Sequence, residues 1–287
     1  MEVGSGNMSD KLNIIIKKTY VENNNYKIEY SEGEDNSSCV AVYFSSNAIF
    51  YPDNEAVFTD TIVVKDRYEW NNNRIKRANK HVFVRDIYKS WYLFGINSKL
   101  HNIESLCEFI KRETKGYKEI VIVGSSAGAY VAILIGTMIR ANMILGFSPQ
   151  WNLYDENIAE KLHRKRPDLD IKNCQKYYDL TKYGDYESVF YFVPIFSEED
   201  IIQLSHAERL TNIHIIKIES NQHGVAIPYE TVQYIINLPK RKLIKLQDKK
   251  NSDVSIIWKV MPYKKSIIIL IHYLRDKIKS TFLNKFK

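Results

Sequence analysis

The 287-residue chain has only three cysteines, and no pattern that would pair them or let them hold a metal ion. Cys39, Cys107 and Cys174 are widely spaced, which argues against a disulfide framework and against a zinc site. We therefore predict no bound metal and a reducing, cytoplasmic location. The first residues show no basic end followed by an apolar stretch, so a signal peptide is not expected.

The basic C-terminal segment lacks an apolar run long enough to span a bilayer. Its most apolar part is 267–271, inside a basic amphipathic tail at 241–287 that follows the predicted domain at 1–240. Two interpretations remain open: peripheral contact with the inner face of an anionic membrane, or packing on the domain or on a second subunit. The oligomeric state is left open. No basic-aromatic motif accompanies the formal net charge of +7, so nucleic acid is not predicted as a partner.

Short apolar runs alternate with amphipathic segments along the chain, and this indicates an α/β fold with a mostly parallel sheet flanked by helices. Eight strands are predicted, near residues 12–17, 26–30, 39–44, 81–85, 119–123, 142–147, 189–193 and 213–218. Helices are predicted near residues 102–115, 127–139, 155–166, 199–210 and 228–237.

A G-x-S-x-G motif lies between a predicted strand and a predicted helix, as Gly124-Ser125-Ser126-Ala127-Gly128. A strand that turns directly into a helix places the middle residue, Ser126, on a tight bend, and the flanking glycines let backbone approach closely. The first N–H groups of the helix can then stabilise a developing oxyanion. The alternative interpretation is a turn of small residues that opens an Ala-rich core helix.

A serine nucleophile needs a histidine to accept its proton, and His223 is the favoured one of seven histidines. His223 lies in a polar loop, 219–224, directly after a predicted strand. Open α/β sheets place their sites in loops at the carboxyl ends of strands. His81 and His214 lie in or at the start of strands and are more typical of packing or edge positions. The other four, His101, His163, His206 and His272, lie in charged, helix-like segments.

An orienting carboxylate is expected after the strand near 189–193, where the loop holds three acidic residues. Asp200 is favoured because it comes just before the next helix, where a short side chain can point back over the strand end. Glu198 is the alternative. Both would also suit the acidic first turn of a helix that has no catalytic role.

With these residues in place, the chain resembles the α/β-hydrolase superfamily over roughly residues 11–240. The resemblance implies Ser126 as nucleophile, His223 as general base and Asp200 as the acid. It also implies an oxyanion hole that uses the Ala127 N–H and a second N–H from the loop after the third strand. Lipases and esterases often carry His-Gly-Gly in that loop, whereas this chain has Ser45-Ser46-Asn47, so Ser46 and Asn47 are both candidates.

The chain is also similar to bacterial surface-polysaccharide O-acetyltransferases and esterases of this fold, through 84–92, the Gly-Ser-Ser-x-Gly motif and 146–150. That resemblance implies a glycan or small acyl-ester substrate, with a sugar hydroxyl or its O-acyl ester at the site. It further implies that no cofactor stays bound and that acetyl-CoA is a candidate acyl donor.

A cap-like insertion is predicted at 151–188, where tyrosines could either stack on sugars or pack on the sheet. Arg85, Trp91 and Ser125 are predicted to contact substrate, with a structural ion pair or a core position as the alternative for the first two.

We thus predict serine-dependent acyl transfer in biosynthesis or modification of a surface glycan. The rival prediction is a catalytically silent binding module in a membrane-associated glycan or secretion assembly.

Overall fold

Seven of the eight predicted apolar runs form strands, and these make one sheet in the order β1-β3-β2-β4-β5-β6-β7. The computed structural model describes residues 6–31, 38–155, 160–162, 171–247 and 250–284. Only the β1–β3 pair is antiparallel; the other neighbouring pairs are parallel. The strands are β1 (Tyr26–Tyr30), β2 (Cys39–Phe44), β3 (Lys80–Val84), β4 (Glu119–Ser125), β5 (Met143–Phe147), β6 (Val189–Pro194) and β7 (His214–Ile218).

Helices follow most strands, as the alternating pattern predicts. They are α1 (Gly6–Glu22), α2 (Glu55–Phe58), α3 (Ile103–Thr114), α4 (Ala127–Met138), α5 (Glu198–Ala207), α6 (Tyr229–Ile235), α7 (Lys240–Ile244), α8 (Asp253–Val260) and α9 (Tyr263–Asn284). A π-helical segment, Thr59–Val64, continues α2, and short 3-10 turns occupy Asn47–Ile49, Lys172–Tyr177 and Leu180–Lys182. The helix predicted near 155–166 lies largely outside the described residues.

The prediction of an eighth strand at 12–17 is wrong, because this segment belongs to α1. Its run of isoleucines favours a strand by propensity alone. However, Leu12, Ile15, Ile16 and Tyr20 recur at helical spacing and pack against a small cluster of buried residues, while Ile14 points to solvent. Tertiary packing of one helical face therefore decides the conformation.

The sheet is covered on both faces, which explains why its central strands are almost continuously apolar. Along β2, Val40 and Val42 pack in the same cluster as α3 and α4. Ala41 and Tyr43 face the opposite side and pack in the cluster that contains α6 and α8. The carboxyl ends of the six parallel strands consequently meet at one edge between these layers, and the polar turns collect there.

The described part of the insertion at 151–188 packs on the sheet instead of forming an open aromatic platform. Trp151, Tyr177, Tyr178 and Tyr186 are buried in the same cluster as α3 and α4. Tyr183 is half-buried against the same cluster, and Tyr154 is exposed over 56% of its surface. The structure therefore favours the packing interpretation for most of these aromatic residues.

The C-terminal tail is tied to the edge strand β7 by a buried asparagine. Asn251 forms a parallel bridge with Ile218, and its Nδ2 donates to the carbonyls of Lys217 and Leu246 at 3.0 Å each. Lys259 Nζ donates to Asn251 Oδ1 at 2.7 Å. The tail thus extends the packed core beyond residue 240, and it is joined to the sheet by backbone as well as side-chain contacts.

Replacing this asparagine tests that attachment. Asn251→Ala leaves the buried Leu246 carbonyl without its donor, whereas the Lys217 carbonyl keeps the backbone N–H of residue 251 at 3.0 Å. We expect the free energy of unfolding to fall by about 1–3 kcal/mol. The measurement is urea unfolding followed by circular dichroism. Asn221→Ala, at an exposed position, is the matched control and should change stability by less than about 0.5 kcal/mol. Equal stability of both variants would contradict this role for Asn251.

Candidate active site

Ser126 occupies the turn between β4 and α4 with a backbone conformation that L-residues rarely adopt. Its φ and ψ are 52° and −123°, and its N–H donates to the Phe147 carbonyl of β5 at 2.8 Å. Strain of this kind persists only where surrounding contacts enforce it. The turn therefore holds the Ser126 hydroxyl in a fixed place at the carboxyl end of the sheet.

The two glycines of the motif are required by close backbone contacts. A Cβ atom on Gly124 would lie 2.2 Å from the Gly128 carbonyl oxygen. One on Gly128 would lie 2.4 Å from the Phe44 carbonyl oxygen, at the end of β2. No real Cβ atom tolerates such distances, so both positions need glycine. The interpretation of the motif as a strand-to-helix elbow is confirmed at the level of the backbone.

A continuous chain of hydrogen bonds joins Asp200, His223 and Ser126. His223 Nδ1 lies 3.0 Å from Asp200 Oδ2, and His223 Nε2 lies 2.8 Å from Ser126 Oγ. The Asp200 side chain is 1% exposed and that of His223 is 32% exposed. A buried carboxylate beside Nδ1 keeps the proton on that nitrogen. The lone pair of Nε2 therefore faces the serine hydroxyl.

The loop after β6 places Asp200, and not Glu198, against the histidine. Ser197 caps α5 and accepts a hydrogen bond from the Asp200 N–H at 3.5 Å. Asp200 stands in the first helical turn and faces inward, whereas Glu198 is exposed. The carboxylate therefore serves both as a first-turn acid of the helix and as the partner of His223.

Sequence reasoning did not identify Ser148, which fixes the loop that carries the histidine. Ser148 follows β5 with a φ of 50°, and its fully buried hydroxyl donates to the Gly224 carbonyl at 3.0 Å. Gly224 itself has a φ of 91° and follows His223 directly. The only sequence signal for Ser148 is its position within 146–150, directly after β5, the strand that neighbours β4.

The two segments predicted to supply oxyanion donors differ in whether their N–H groups are already hydrogen-bonded. Ala127 is the first residue of α4, where backbone N–H groups have no partner within the helix. The Ser46 N–H instead donates to Glu69 Oε2 at 2.5 Å, and the Ser46 hydroxyl donates to Glu69 Oε1 at 2.9 Å. Because Glu69 occupies the Ser46 N–H, the prediction of Ser46 as a donor is wrong for this conformation. Asn47 is the remaining candidate.

Glu69 is a second residue that sequence reasoning missed, because nothing local marks it as a neighbour of Ser46. Burial raises the pKa of the Glu69 carboxyl, and the hydrogen bonds from Ser46 act in the opposite direction. Its N–H donates to the Ser45 hydroxyl at 3.3 Å. Glu69 therefore stabilises the loop after β2, and the turn at Gly128 packs against the start of this loop.

The prediction that Arg85 contacts substrate is wrong. Its side chain is 1% exposed and pairs with Asp66 at 2.9 Å, while its guanidinium lies over the Tyr68 ring at 4.5 Å. It also donates to the carbonyls of Arg67 and Ile62. The positive charge of Arg85 thus stabilises the loop before β3.

Asp86 anchors the loop that follows β3. Its carboxylate accepts the backbone N–H groups of Tyr88, Ser90 and Tyr92 at 2.9, 2.6 and 2.9 Å. Three non-glycine residues of this loop have positive φ, and one is Trp91 with 54°. The loop is held in that conformation by one buried carboxylate, which does not pair with its neighbour Arg85.

Trp91 and Ser125 are both buried near this edge of the sheet. The Trp91 indole N–H donates to Gln150 Oε1 at 3.1 Å. A Cβ on Gly224 would lie 3.4 Å from Ser125 Oγ, so the Ser125 hydroxyl lies against the loop of His223. Both residues act in the structure as packing partners of the site's loops, and their contact with substrate stays a prediction.

Removing the Ser148 hydroxyl tests whether it positions His223. Glycine is favoured at a φ of 50°, so Ser148→Gly removes the bond to Gly224 without adding backbone strain. We expect the rate of Ser126 modification by a fluorophosphonate to fall about 3- to 10-fold, since one hydrogen bond contributes about 1 kcal/mol. The melting temperature should fall by no more than about 4 °C.

Arg140→Gly is the matched control, because Arg140 also has a positive φ of 57° but lies at the far end of α4. It should leave the labelling rate unchanged. A labelling rate for Ser148→Gly equal to that of the unmodified protein would show that the Ser148 bond does not position the histidine.

The chain is similar in overall structure to several known proteins. No protein-family model matches the sequence, and no curated protein matches it. The chain is similar to the capsule O-acetyltransferase of Neisseria meningitidis serogroup A at 15% identity, covering 68% of this chain and 83% of that one, with a TM-score of 0.47. It is similar to a bifunctional GH43-CE protein of Bacteroides eggerthii at 16% identity, covering 76% and 34%, with a TM-score of 0.48.

An esterase of Pyrobaculum calidifontis is similar at 11% identity, covering 82% of this chain and 88% of that one, with a TM-score of 0.42. At such identities and scores the function of this chain has to be argued from its own residues. Its parallel sheet, its serine elbow after β4, and the acid and histidine after β6 and β7 give it an α/β architecture of the α/β-hydrolase type.

Proposed function

We propose that this protein is a serine-dependent acyl-transfer enzyme that forms an acyl-Ser126 intermediate. The observation that carries the proposal is the position of the His223 ring, 2.8 Å from Ser126 Oγ and 3.0 Å from Asp200 Oδ2. A serine hydroxyl is a poor nucleophile near neutral pH unless a base accepts its proton. This geometry supplies the base and the carboxylate that orients it.

In the first half-reaction, Ser126 Oγ attacks the carbonyl carbon of an ester or thioester while its proton passes to His223 Nε2. The tetrahedral oxyanion is stabilised by the Ala127 N–H and a second donor, for which Asn47 is the candidate. Removing one such donor typically costs about 10²–10³-fold in turnover. His223 then returns the proton to the departing alcohol or thiol, which leaves the acyl group on Ser126.

In the second half-reaction, water or an acceptor hydroxyl attacks the acyl-Ser126 carbonyl. His223 Nε2 removes the proton of the attacking group and then delivers it to Ser126 Oγ as the new acid or ester leaves. Asp200 stabilises the imidazolium form of His223 in both halves without taking up its proton. Hydrolysis and transfer use the same intermediate, so the acceptor decides between them.

The acyl group proposed is acetyl, and the acceptor or substrate proposed is a bacterial surface glycan. This part is supported by the sequence resemblance at 84–92 and 146–150. Acetyl-CoA is the proposed donor for transfer, acting as a substrate. A sugar could be contacted by Tyr154, the exposed aromatic residue of the described insertion.

Modification by a fluorophosphonate, read by intact mass and peptide mapping, tests for an activated serine. We expect one adduct on Ser126, and none in Ser126→Ala. His223→Ala should slow labelling by about 10³-fold or more, and Asp200→Asn should do the same because it favours the wrong tautomer. The loss has a chemical cause, since none of these changes removes a core side chain.

Neighbouring residues of α5 provide matched controls for the serine and histidine variants. Ser205→Ala and His206→Ala alter a hydroxyl and an imidazole outside the hydrogen-bonded chain, and His206 pairs with Asp155 instead. Both should label at the rate of the unmodified protein. Absence of any adduct would overturn the proposal and favour a catalytically silent binding module, which the engaged Ser46 N–H would then explain.

Incubation with acetyl-CoA and candidate oligosaccharides separates transfer from hydrolysis. Transfer predicts an acetylated sugar and free CoA in equal amounts, both absent with Ser126→Ala. The products are measured by mass spectrometry and by thiol release. Free acetate with no acetylated sugar, across a range of acceptors, would contradict transfer and assign the protein as an esterase.

A further inference from the structure

The charge of this protein is strongly divided along the chain. Residues 240–287 contain 14 of the 41 basic residues and 3 of the 34 acidic ones, a formal net charge of +11. Residues 1–239 consequently carry −4. A charge asymmetry of this size indicates an anionic partner for the C-terminal segment.

The inner face of α9 is fixed to the body of the protein. The Ser266 hydroxyl is fully buried and lies 3.3 Å from the Ile257 carbonyl of α8. Leu270 is buried one turn further along, and the Tyr273 hydroxyl donates to Asp253 at 2.6 Å. These contacts determine which side of the helix faces outward.

The outer face of α9 carries aliphatic side chains that the described part of the chain leaves exposed. Ile268 and Ile271 are 55% and 60% exposed, and Ile267 is exposed beside them. At the start of the helix the Tyr263 ring lies beside the Trp258 ring of α8, with centroids 5.6 Å apart, the ring planes tilted by 40° and both rings exposed. We call this set, 258, 263, 267, 268 and 271, the α9 apolar face.

Basic side chains border the α9 apolar face. Lys264, Lys265 and Arg275 are exposed on the same helix. Aliphatic residues, an aromatic pair and bordering lysines are the combination found in helices that lie in a membrane interface. Among the described residues, no helix is both long and apolar enough to cross a bilayer, so the contact would be with its surface.

We propose that the α9 apolar face binds the surface of an anionic lipid bilayer. The isoleucines and the Trp258–Tyr263 pair enter the boundary between headgroups and acyl chains, while the lysines contact anionic headgroups. A nucleic acid would satisfy the charge but leave the isoleucines in water. Two copies of this face packed together would oppose like charges, namely Lys264, Lys265 and Arg275 of each copy.

Sedimentation with lipid vesicles tests the proposal on the full chain. The protein should bind vesicles made of equal parts phosphatidylcholine and phosphatidylglycerol, and not vesicles of phosphatidylcholine alone. Added salt should weaken the binding. Ile268→Gln/Ile271→Gln and Lys264→Gln/Lys265→Gln should each reduce the fraction bound by about tenfold or more.

Two matched pairs elsewhere on the surface serve as controls. Val63→Gln/Val64→Gln changes exposed aliphatic residues next to α2, and Lys115→Gln/Lys118→Gln removes two exposed lysines after α3. Both should bind vesicles as the unmodified protein does. Fluorophosphonate labelling should be unchanged in all four variants, which separates this proposal from the enzymatic one.

Three results would overturn the proposal. One is failure to bind the anionic vesicles, and another is equal loss of binding in the α9 variants and the controls. The third is a dimer, detected by light scattering, that Ile268→Gln/Ile271→Gln dissociates, because it would make a second copy of the chain the occupant of this face.

Discussion

The close backbone contacts around the β4–α4 turn are the constraint on which the rest of the site depends. Gly128 leaves no room for a side chain beside the Phe44 carbonyl, and Ser126 is held through its N–H on the Phe147 carbonyl. The turn is therefore fixed against the ends of both neighbouring strands. The positive φ of Ser126 follows from those contacts, and with it the direction of the hydroxyl toward His223.

The sequence predicted the parts of this site that local chemistry specifies. Glycines flanking a serine between a strand and a helix mark a turn that other residues could not form, and Asp200 and His223 follow strands of the same parallel sheet. Contacts between distant segments could not be predicted in the same way. Ser148 reaches Gly224 across 76 residues, and nothing local distinguishes it from any buried serine.

Local preference also misled where packing outweighed it. The isoleucines of α1 favour a strand, yet one helical face of that segment meets a cluster contributed by the loops after β2 and β3. Arg85 stands after a strand that ends at the site, but its charge is satisfied by Asp66 on a preceding loop. In both cases the packing or pairing partner is distant in the sequence, and local sequence patterns do not identify it.

The proposed mechanism requires Ser126 to carry the acyl group during turnover. The most direct measurement is rapid acid quenching of the protein after mixing with p-nitrophenyl acetate or acetyl-CoA, followed by peptide mapping. We expect an acetyl group on the peptide that contains Ser126, and it should appear before steady-state product release. An acetyl group on another residue, or product release with Ser126 never modified, would contradict it.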